Sequence, residues 1–166
     1  MGRRVDVDAA APRVALPGRV LNELYAHARE TQPEECCGLI LGDEDERFRR
    51  VVRCRNDLTR LHHEDAGKYP RDGGSGFVID AAAYAKVVEQ AHEVGERVTA
   101  VYHSHVNARE GGGLYLSELD LKYGFPFPDA AQLVIAVCED RVTGVGLFER
   151  DADGVGFRGR AVEPIP

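Results

Sequence analysis

Residues 33–42 read PEECCGLILG, in which a proline and two acidic residues precede a short apolar run that ends in glycine. An uninterrupted apolar run of this length, closed by the acidic turn at residues 43–46, is typical of a buried strand. The stretch from residue 48 to residue 55 follows that turn and predicts the neighbouring strand. Its interleaved arginines indicate the solvated face of that strand and not a basic binding surface.

Helical patterns lie on both sides of this strand pair. Apolar residues recur at helical spacing from Leu16 to Thr31, and Pro17 stands where a helix can begin. Asp80 caps a second predicted helix that continues to about Val94. Ser117 begins a third, short helix. Strands are predicted over residues 97–103, 133–138, 144–150 and 155–162.

The interleaving of these elements predicts an α/β fold, in which a mixed β-sheet of one domain is flanked by helices. The domain is expected over residues 16–166, after a loose and flexible leader at residues 1–15. Residues 56–76 and 106–116 show no periodicity, so we expect irregular loops there.

Composition excludes several classes of protein. The chain has 166 residues, a formal net charge of −7 and no dense basic run, which argues against nucleic-acid binding. No apolar run is long enough for a membrane span, and no secretory signal is evident. Four cysteines without C-x-x-C spacing predict reduced thiols and a cytoplasmic protein.

The sequence His103-Ser104-His105 ends a predicted strand, and Asp120 follows at the start of the third helix. Residues two apart on a strand share a face, so both imidazoles can converge on one point. Two histidines and one carboxylate are a typical ligand set of a catalytic zinc site. Alternatively, the histidines are ordinary polar residues, and Ser117 and Asp120 form a helix capping box.

Glu35 lies at the entrance to the buried strand of residues 36–42. A carboxylate is costly there unless it has a partner. One such partner is a water molecule at a metal, for which Glu35 would act as general base. Alternatively, Glu35 turns toward solvent, or Glu34 takes the role of the base.

Together, these segments resemble the JAMM (MPN+) zinc metallopeptidases, and the resemblance extends from about Leu16 to Val162. It implies the MPN fold, with zinc held by His103, His105 and Asp120. The same resemblance implies that Glu35 is the general base and that Ser117 stabilises the oxyanion.

Single-domain prokaryotic members of that family act on small ubiquitin-like proteins, including sulfur carriers. The resemblance therefore implies a zinc (iso)peptidase that cleaves after the C-terminal Gly-Gly of such a protein. Two alternatives remain: an inactive MPN-type scaffold that binds protein, and a metallohydrolase of small amides.

Two features depart from the family pattern. Val106 follows the second histidine where proline is usual, and fourteen residues separate His105 from Asp120, about four more than is usual. Because changes in loop length cost little entropy, the extra residues within 108–116 can bulge outward without moving Asp120, and they are expected to line the substrate groove. They bear on the substrate class and not on metal binding.

Other residues have ordinary explanations beside functional ones. Cys36 and Cys37 are interpreted as inert core thiols and not as nucleophiles. A second metal site at His62 and His63 has no supporting carboxylate. Three tyrosines near the motifs are expected to pack or to line a groove; they are Tyr102, Tyr115 and Tyr123.

Overall fold

The computed structural model describes residues 3–109, 111–122, 129–154 and 156–166. The elements in these ranges are β1 (Val5–Asp6), β2 (Val14–Leu16), α1 (Gly18–Thr31), β3 (Cys37–Gly42), β4 (Arg50–Cys54), α2 (Leu58–Glu64), α3 (Ala81–Glu93), β5 (Arg97–His105), β6 (Tyr115–Leu116), α4 (Glu118–Lys122), β7 (Ala131–Cys138), β8 (Arg141–Arg150) and β9 (Phe157–Pro164). Tyr123 lies outside the described residues.

Seven strands form one mixed sheet in the order β2-β9-β8-β7-β5-β3-β4. The pairs β2–β9 and β5–β7 are parallel, and the other neighbouring pairs are antiparallel. Strand β3 lies between β4 and β5, and Cys37 pairs with His103. This register brings the entrance of β3, where Glu35 stands, to the end of β5 that carries the two histidines. The predicted α/β architecture, a mixed sheet flanked by helices, is confirmed.

Helix α1 covers one face of the sheet. Its apolar stripe of Val20, Leu21, Leu24 and Ala28 packs against inward-facing residues of β3, β5, β7 and β8, as the helical periodicity predicts. Tyr102 lies fully buried in this layer, and its hydroxyl is 2.7 Å from Nδ1 of His27. The predicted packing role of Tyr102 is therefore confirmed.

Helix α3 covers the opposite face. Its residues Tyr84, Val87, Val88 and Ala91 pack against a cluster that includes Leu39, Leu41 and Val101. Asp80 caps the helix by accepting a hydrogen bond from the amide of Ala83 at 3.0 Å. Because side chains alternate along β5, His103 faces the same side as Val101. The histidines thus lie on the α3 side, at the edge of this core.

Three stretches that are predicted to be irregular contain helix or strand: residues 1–15, 56–76 and 106–116. Residues 58–64 of the first irregular stretch form α2, whose one buried side chain is Leu58; a single apolar contact produces no helical period. In place of a loose leader, Val5–Asp6 pairs with Tyr115–Leu116, and Val14–Leu16 pairs with β9. Val5 and Val7 pack beside Phe148. The alternation of valine and aspartate at residues 5–8 is a strand signal that our prediction of a leader overlooks.

Among the described residues, none of the helices combines the length and the apolar character needed to span a lipid bilayer.

Candidate metal centre

His103 and His105 lie at the C-terminal end of β5, and their side chains point to the same side of the sheet. Their Nε2 atoms are 3.1 Å apart, and their ring centroids are 4.9 Å apart. His103 is 1% exposed and His105 is 13% exposed. The predicted convergence of the two imidazoles is therefore present, with His105 on the side that water can reach.

Asp120 brings the carboxylate from α4. Its Oδ2 lies 3.5 Å from Nε2 of His103 and 3.9 Å from Nε2 of His105. The amide of Ser117 donates to this carboxylate at 2.8 Å, and the amide of Asp120 donates to Oγ of Ser117 at 3.1 Å. The capping box and the convergence on the histidines thus coexist, because capping holds the carboxylate in place.

These three side chains form a group whose ligand atoms could hold a metal ion. Ligand bonds of about 2.0–2.2 Å in a tetrahedron place neighbouring ligand atoms about 3.3–3.6 Å apart. The observed separations of 3.1, 3.5 and 3.9 Å bracket that range. Two neutral imidazoles and one carboxylate are also the nitrogen and oxygen donors that zinc accepts. The residues present fit the metal.

The free ring nitrogens of the two histidines have different surroundings. Nδ1 of His105 donates to the carbonyl of Gly113 at 2.7 Å, so that Nε2 carries the lone pair. Nδ1 of His103 is buried without a hydrogen-bond partner in the described part of the chain. Instead, the ring of Phe77 stacks on His103, with centroids 4.6 Å apart and planes 23° apart. One imidazole is held by a hydrogen bond and the other by stacking.

The electrostatics of the cluster favour an ionised carboxylate. Burial opposes this, but the neighbouring His103 and the Ser117 hydrogen bonds hold the pKa of Asp120 well below its ordinary value. Burial alone lowers the pKa of His103, yet Asp120 raises it above the ordinary value. Burial and the proximity of His103 lower the pKa of His105 to about 4. The centre therefore offers a negative charge and at least one neutral imidazole at neutral pH.

Glu35 is 6% exposed and stands immediately before β3. Burial, and to a lesser extent Asp120, raise its pKa to about 7, although His103 partly opposes the shift. A carboxyl group that titrates near neutral pH suits a general base. The interpretation that Glu35 turns toward solvent is wrong, because the side chain is buried.

The backbone around Glu35 is tied to its neighbours. The amide of Glu35 donates to the carbonyl of Gly73 at 2.7 Å. The amide of Cys36 donates to Oγ of Ser104 at 2.8 Å, and the amide of Ser104 donates to the carbonyl of Cys36 at 3.1 Å. Ser104, between the two histidines, thus connects the ligand strand to the segment that carries Glu35. No motif in the sequence points to this role of Ser104.

Glu34 is held differently. Its carboxylate accepts a hydrogen bond from Oγ1 of Thr59 at 2.6 Å, and the amide of Gly73 donates to the same hydroxyl at 2.8 Å. A Cβ atom at Gly73 would lie 2.9 Å from the Glu34 carboxyl carbon. The Glu34 carboxylate is therefore engaged in a hydrogen bond with α2, whose Thr59 also binds the loop at Gly73. This favours Glu35 over Glu34 as the base.

Two aromatic rings flank the histidines. Phe77 covers His103 from one side, and Tyr115 lies tilted against His105 with centroids 4.7 Å apart. The guanidinium of Arg4 lies over the Tyr115 ring at 4.9 Å. Tyr115 therefore packs beside the cluster as expected, whereas the sequence analysis missed Phe77, which carries no motif.

The segment between the ligands does not simply bulge outward. Ala108 and Leu116 are buried, the amide of Ala108 donates to the carbonyl of Val137, and Gly113 supplies the carbonyl that holds His105. An outward bulge is possible only between these anchored residues, around Gly111, where a Cβ atom would meet nothing within 4 Å. Although loop length costs little entropy, this loop contacts a candidate ligand.

The other suggested sites do not come together. All four cysteines, which lie in the described ranges, are free. Burial raises the pKa of Cys36 to about 11 and that of Cys37 further, so both are protonated and unsuited to nucleophilic attack. His62 and His63 lie on α2, and His62 contacts the carbonyl of Tyr69. Neither belongs to a three-residue metal group in the part of the chain that the structure describes.

Replacing Gly113 with alanine should weaken metal binding by about 10–100-fold, the usual effect of disturbing the partner of a ligand histidine. A Cβ atom there would lie 2.5 Å from Cβ of Ala108, so the carbonyl must move away from His105. Gly111→Ala is the matched control: both glycines have positive φ, +83° and +79°, but nothing lies within 4 Å of a Cβ at Gly111. Equal metal affinities for the two variants, measured by chelator competition, would contradict this role of Gly113.

Comparison with known proteins agrees with this geometry. The model of the family described as prokaryotic homologs of the JAB domain matches residues 17–125, a range that includes Glu35 and all three candidate ligands. No curated protein matches the chain.

Two solved structures are similar in fold. The solution structure of protein DSY2949 from Desulfitobacterium hafniense is 23% identical with a TM-score of 0.61, and the match covers 92% of this chain and 94% of that one. The solution structure of a protein from Salinibacter ruber is 24% identical with a TM-score of 0.56, and the match covers 92% of each chain. At these identities, the likeness concerns the fold alone.

Proposed function

Because this chain belongs to the prokaryotic homologues of the JAB domain, we propose that it is a zinc-dependent peptidase or isopeptidase. Its substrate is the amide bond after the C-terminal Gly-Gly of a small ubiquitin-like or sulfur-carrier protein. The observation that carries the proposal is the convergence of His103, His105 and Asp120 in a cluster whose charges shift the pKa of the buried Glu35. The free thiols suit a cytoplasmic setting.

Zinc is the metal that we propose here, because two imidazoles and one carboxylate are a known ligand set of catalytic zinc sites. His103, His105 and Asp120 would hold it through two Nε2 atoms and Oδ2. A zinc ion held there supplies Lewis acidity, which polarises a carbonyl group and allows water to lose a proton near neutral pH. The ligand side chains remain 1–13% exposed, so the opening toward solvent lies beside His105 and Asp120.

Glu35 and Ser117 supply the remaining chemistry. The carboxylate of Glu35 accepts a proton from the attacking water and passes it to the amine nitrogen that leaves. The hydroxyl of Ser117 accepts from the amide of Asp120, and its own O–H is the donor we assign to the oxyanion that develops on the scissile carbonyl. The intact set of five side chains favours an enzyme over an inactive scaffold.

The surroundings support an extended, narrow substrate. An extended peptide is best held by main-chain hydrogen bonds along a strand edge, and glycines allow two backbones to approach closely. Glycines stand on both sides of the histidines, in residues 73–76 and 111–113. With Phe77 and Tyr115 against the two imidazoles, this arrangement suits a Gly-Gly tail better than a tail with larger side chains.

The test uses the purified, zinc-loaded chain and a small ubiquitin-like protein whose C-terminal Gly-Gly is joined by an amide bond to a reporter peptide. A matched substrate carries Ala-Ala instead. We expect hydrolysis directly after Gly-Gly and a kcat/KM at least about tenfold lower for Ala-Ala, because glycine lets the substrate backbone approach the site more closely than alanine does. Equal cleavage of both tails would refute the substrate class. Hydrolysis of neither tail, with zinc bound, would support the binding scaffold.

A further inference from the structure

Asn56 lies between β4 and α2 and makes four hydrogen bonds, all to the backbone. Its Nδ2 donates to the carbonyl of Glu35 at 2.9 Å and to that of Gly76 at 3.0 Å. Its Oδ1 accepts from the amides of Leu58 at 3.0 Å and Val78 at 3.2 Å. A carboxamide has two N–H donors and two lone pairs on its oxygen. The whole hydrogen-bonding capacity of the side chain is therefore used.

The partners of Asn56 belong to three segments, two of which carry a side chain at the candidate centre, Glu35 or Phe77. One segment carries Glu35, one begins α2, and the third is the stretch of residues 73–78. That stretch also accepts the amide hydrogen bond of Glu35, through the carbonyl of Gly73 at 2.7 Å. The peptide groups on both sides of Glu35 are thus fastened to the same stretch, the first directly and the second through Asn56.

The same stretch places an aromatic ring on a candidate ligand. Phe77 stands between Gly76 and Val78, the two residues of the stretch that Asn56 bonds, and stacks on His103. His103 has no hydrogen-bond partner at Nδ1 among the described residues, so this stacking is a principal contact on that ring. One side chain therefore bonds the carbonyl of Glu35 and the backbone on both sides of Phe77.

We propose that Asn56 is a positioning residue that holds Glu35 at a fixed place relative to His103. The inference rests on the proposed hydrolytic function. Glu35 precedes β3, which begins at Cys37. Of its two peptide groups, only the one shared with Cys36 is tied to the sheet, through the hydrogen bond from the Cys36 amide to Oγ of Ser104. Catalytic groups must be held to within about 0.5 Å of their working geometry, and Asn56 provides this constraint through its own saturated hydrogen bonds.

The test compares Asn56→Asp with Asn56→Ala in the zinc-loaded chain. Aspartate keeps the size of the side chain and an acceptor for Leu58 and Val78, but it faces the carbonyls of Glu35 and Gly76 with an oxygen. Alanine removes all four bonds. For both variants we expect kcat to fall about 10–100-fold, while KM changes less than about twofold and one zinc remains bound per chain, because all three ligand side chains are unchanged.

Asp43→Ala is the matched control for a loss of stability alone. Asp43 also accepts two backbone hydrogen bonds, from Asp45 at 3.0 Å and Glu46 at 2.8 Å, but in the turn at the opposite end of β3. Its kcat should stay within about twofold of the unmodified chain, since the turn touches no group of the centre. Equal kcat losses in the Asn56 and Asp43 variants would overturn the inference.

Hydrogen exchange at the amide of Glu35 separates this inference from the proposed function. In both Asn56 variants that amide should exchange at least about tenfold faster than in the unmodified chain, whereas the amide of Val101 in the centre of the sheet should not. If the unmodified chain hydrolyses no Gly-Gly substrate, the proposed function fails. Hydrogen exchange still shows whether the hydrogen bonds of Asn56 hold the Glu35 segment in place. Unchanged exchange, or unchanged kcat in an active chain, would overturn the role of Asn56.

Discussion

Replacing Glu35 with glutamine is expected to lower kcat by about 10²–10⁴-fold, the usual contribution of a general base. Glutamine keeps the shape of the side chain but cannot accept the proton of the attacking water. The backbone bonds of residue 35 to Gly73 and Asn56 do not depend on the carboxylate, so the fold and the bound zinc should remain. Steady-state hydrolysis of the Gly-Gly substrate, together with elemental analysis of the variant, measures both parts.

Glu34→Gln is the matched control, because it changes the adjacent carboxylate that Thr59 occupies. It should retain kcat within a few-fold, and a near-normal kcat for Glu35→Gln would instead require a different base.

The base acts only when it is ionised, so kcat/KM should fall as the pH is lowered through the pKa of Glu35. That pKa is about 7, and a cation at the three ligands lowers it. This fall of kcat/KM at acidic pH should be absent in the Glu35→Gln variant.

Replacing Asp120 with asparagine is expected to weaken zinc binding by more than about 100-fold, which exceeds the effect of losing a partner of a ligand. The amide oxygen of asparagine can still accept the capping hydrogen bond from Ser117. The variant therefore loses the negative charge of the ligand and not the helix cap. Competition with a chromophoric chelator measures the affinity, and hydrolysis should fall with it.

Ser117→Ala separates capping from metal binding. This substitution removes the Oγ that accepts from the amide of Asp120, but all three ligand side chains remain. Zinc affinity should change by less than about tenfold, while kcat should fall because the oxyanion donor is lost. If Ser117→Ala released zinc as readily as Asp120→Asn, the cap and not the carboxylate charge would dominate metal binding.

Much of the fold follows from periodic patterns that the sequence displays. Helix α1 buries a regular apolar stripe, α3 packs a partly buried one against the sheet, and β3 is buried along its whole length, so each has a strong local signal. Helix α2 buries Leu58 alone, and β1 has two residues that become a strand only because β6 is beside them. Short elements of this kind depend on tertiary contacts that no local pattern records.

Some residues of the candidate site can likewise be recognised in the sequence, and others cannot. His103, His105 and Asp120 are recognisable because metal ligation requires particular side chains at particular spacings. Asn56, Gly113 and Phe77 act through backbone hydrogen bonds or ring stacking, across separations of 8–26 residues. Many residue types could stand at such positions in another fold. Their roles become visible only when the three-dimensional neighbours are known.

We propose that His103, His105 and Asp120 bind one zinc ion beside Glu35. A crystal structure of the zinc-loaded chain, with anomalous scattering recorded on both sides of the zinc absorption edge, would show this ion. We expect a single anomalous peak within about 2.0–2.2 Å of the two Nε2 atoms and of Oδ2 of Asp120. The absence of a peak at these side chains, or a peak at His62 and His63 instead, would contradict the claim.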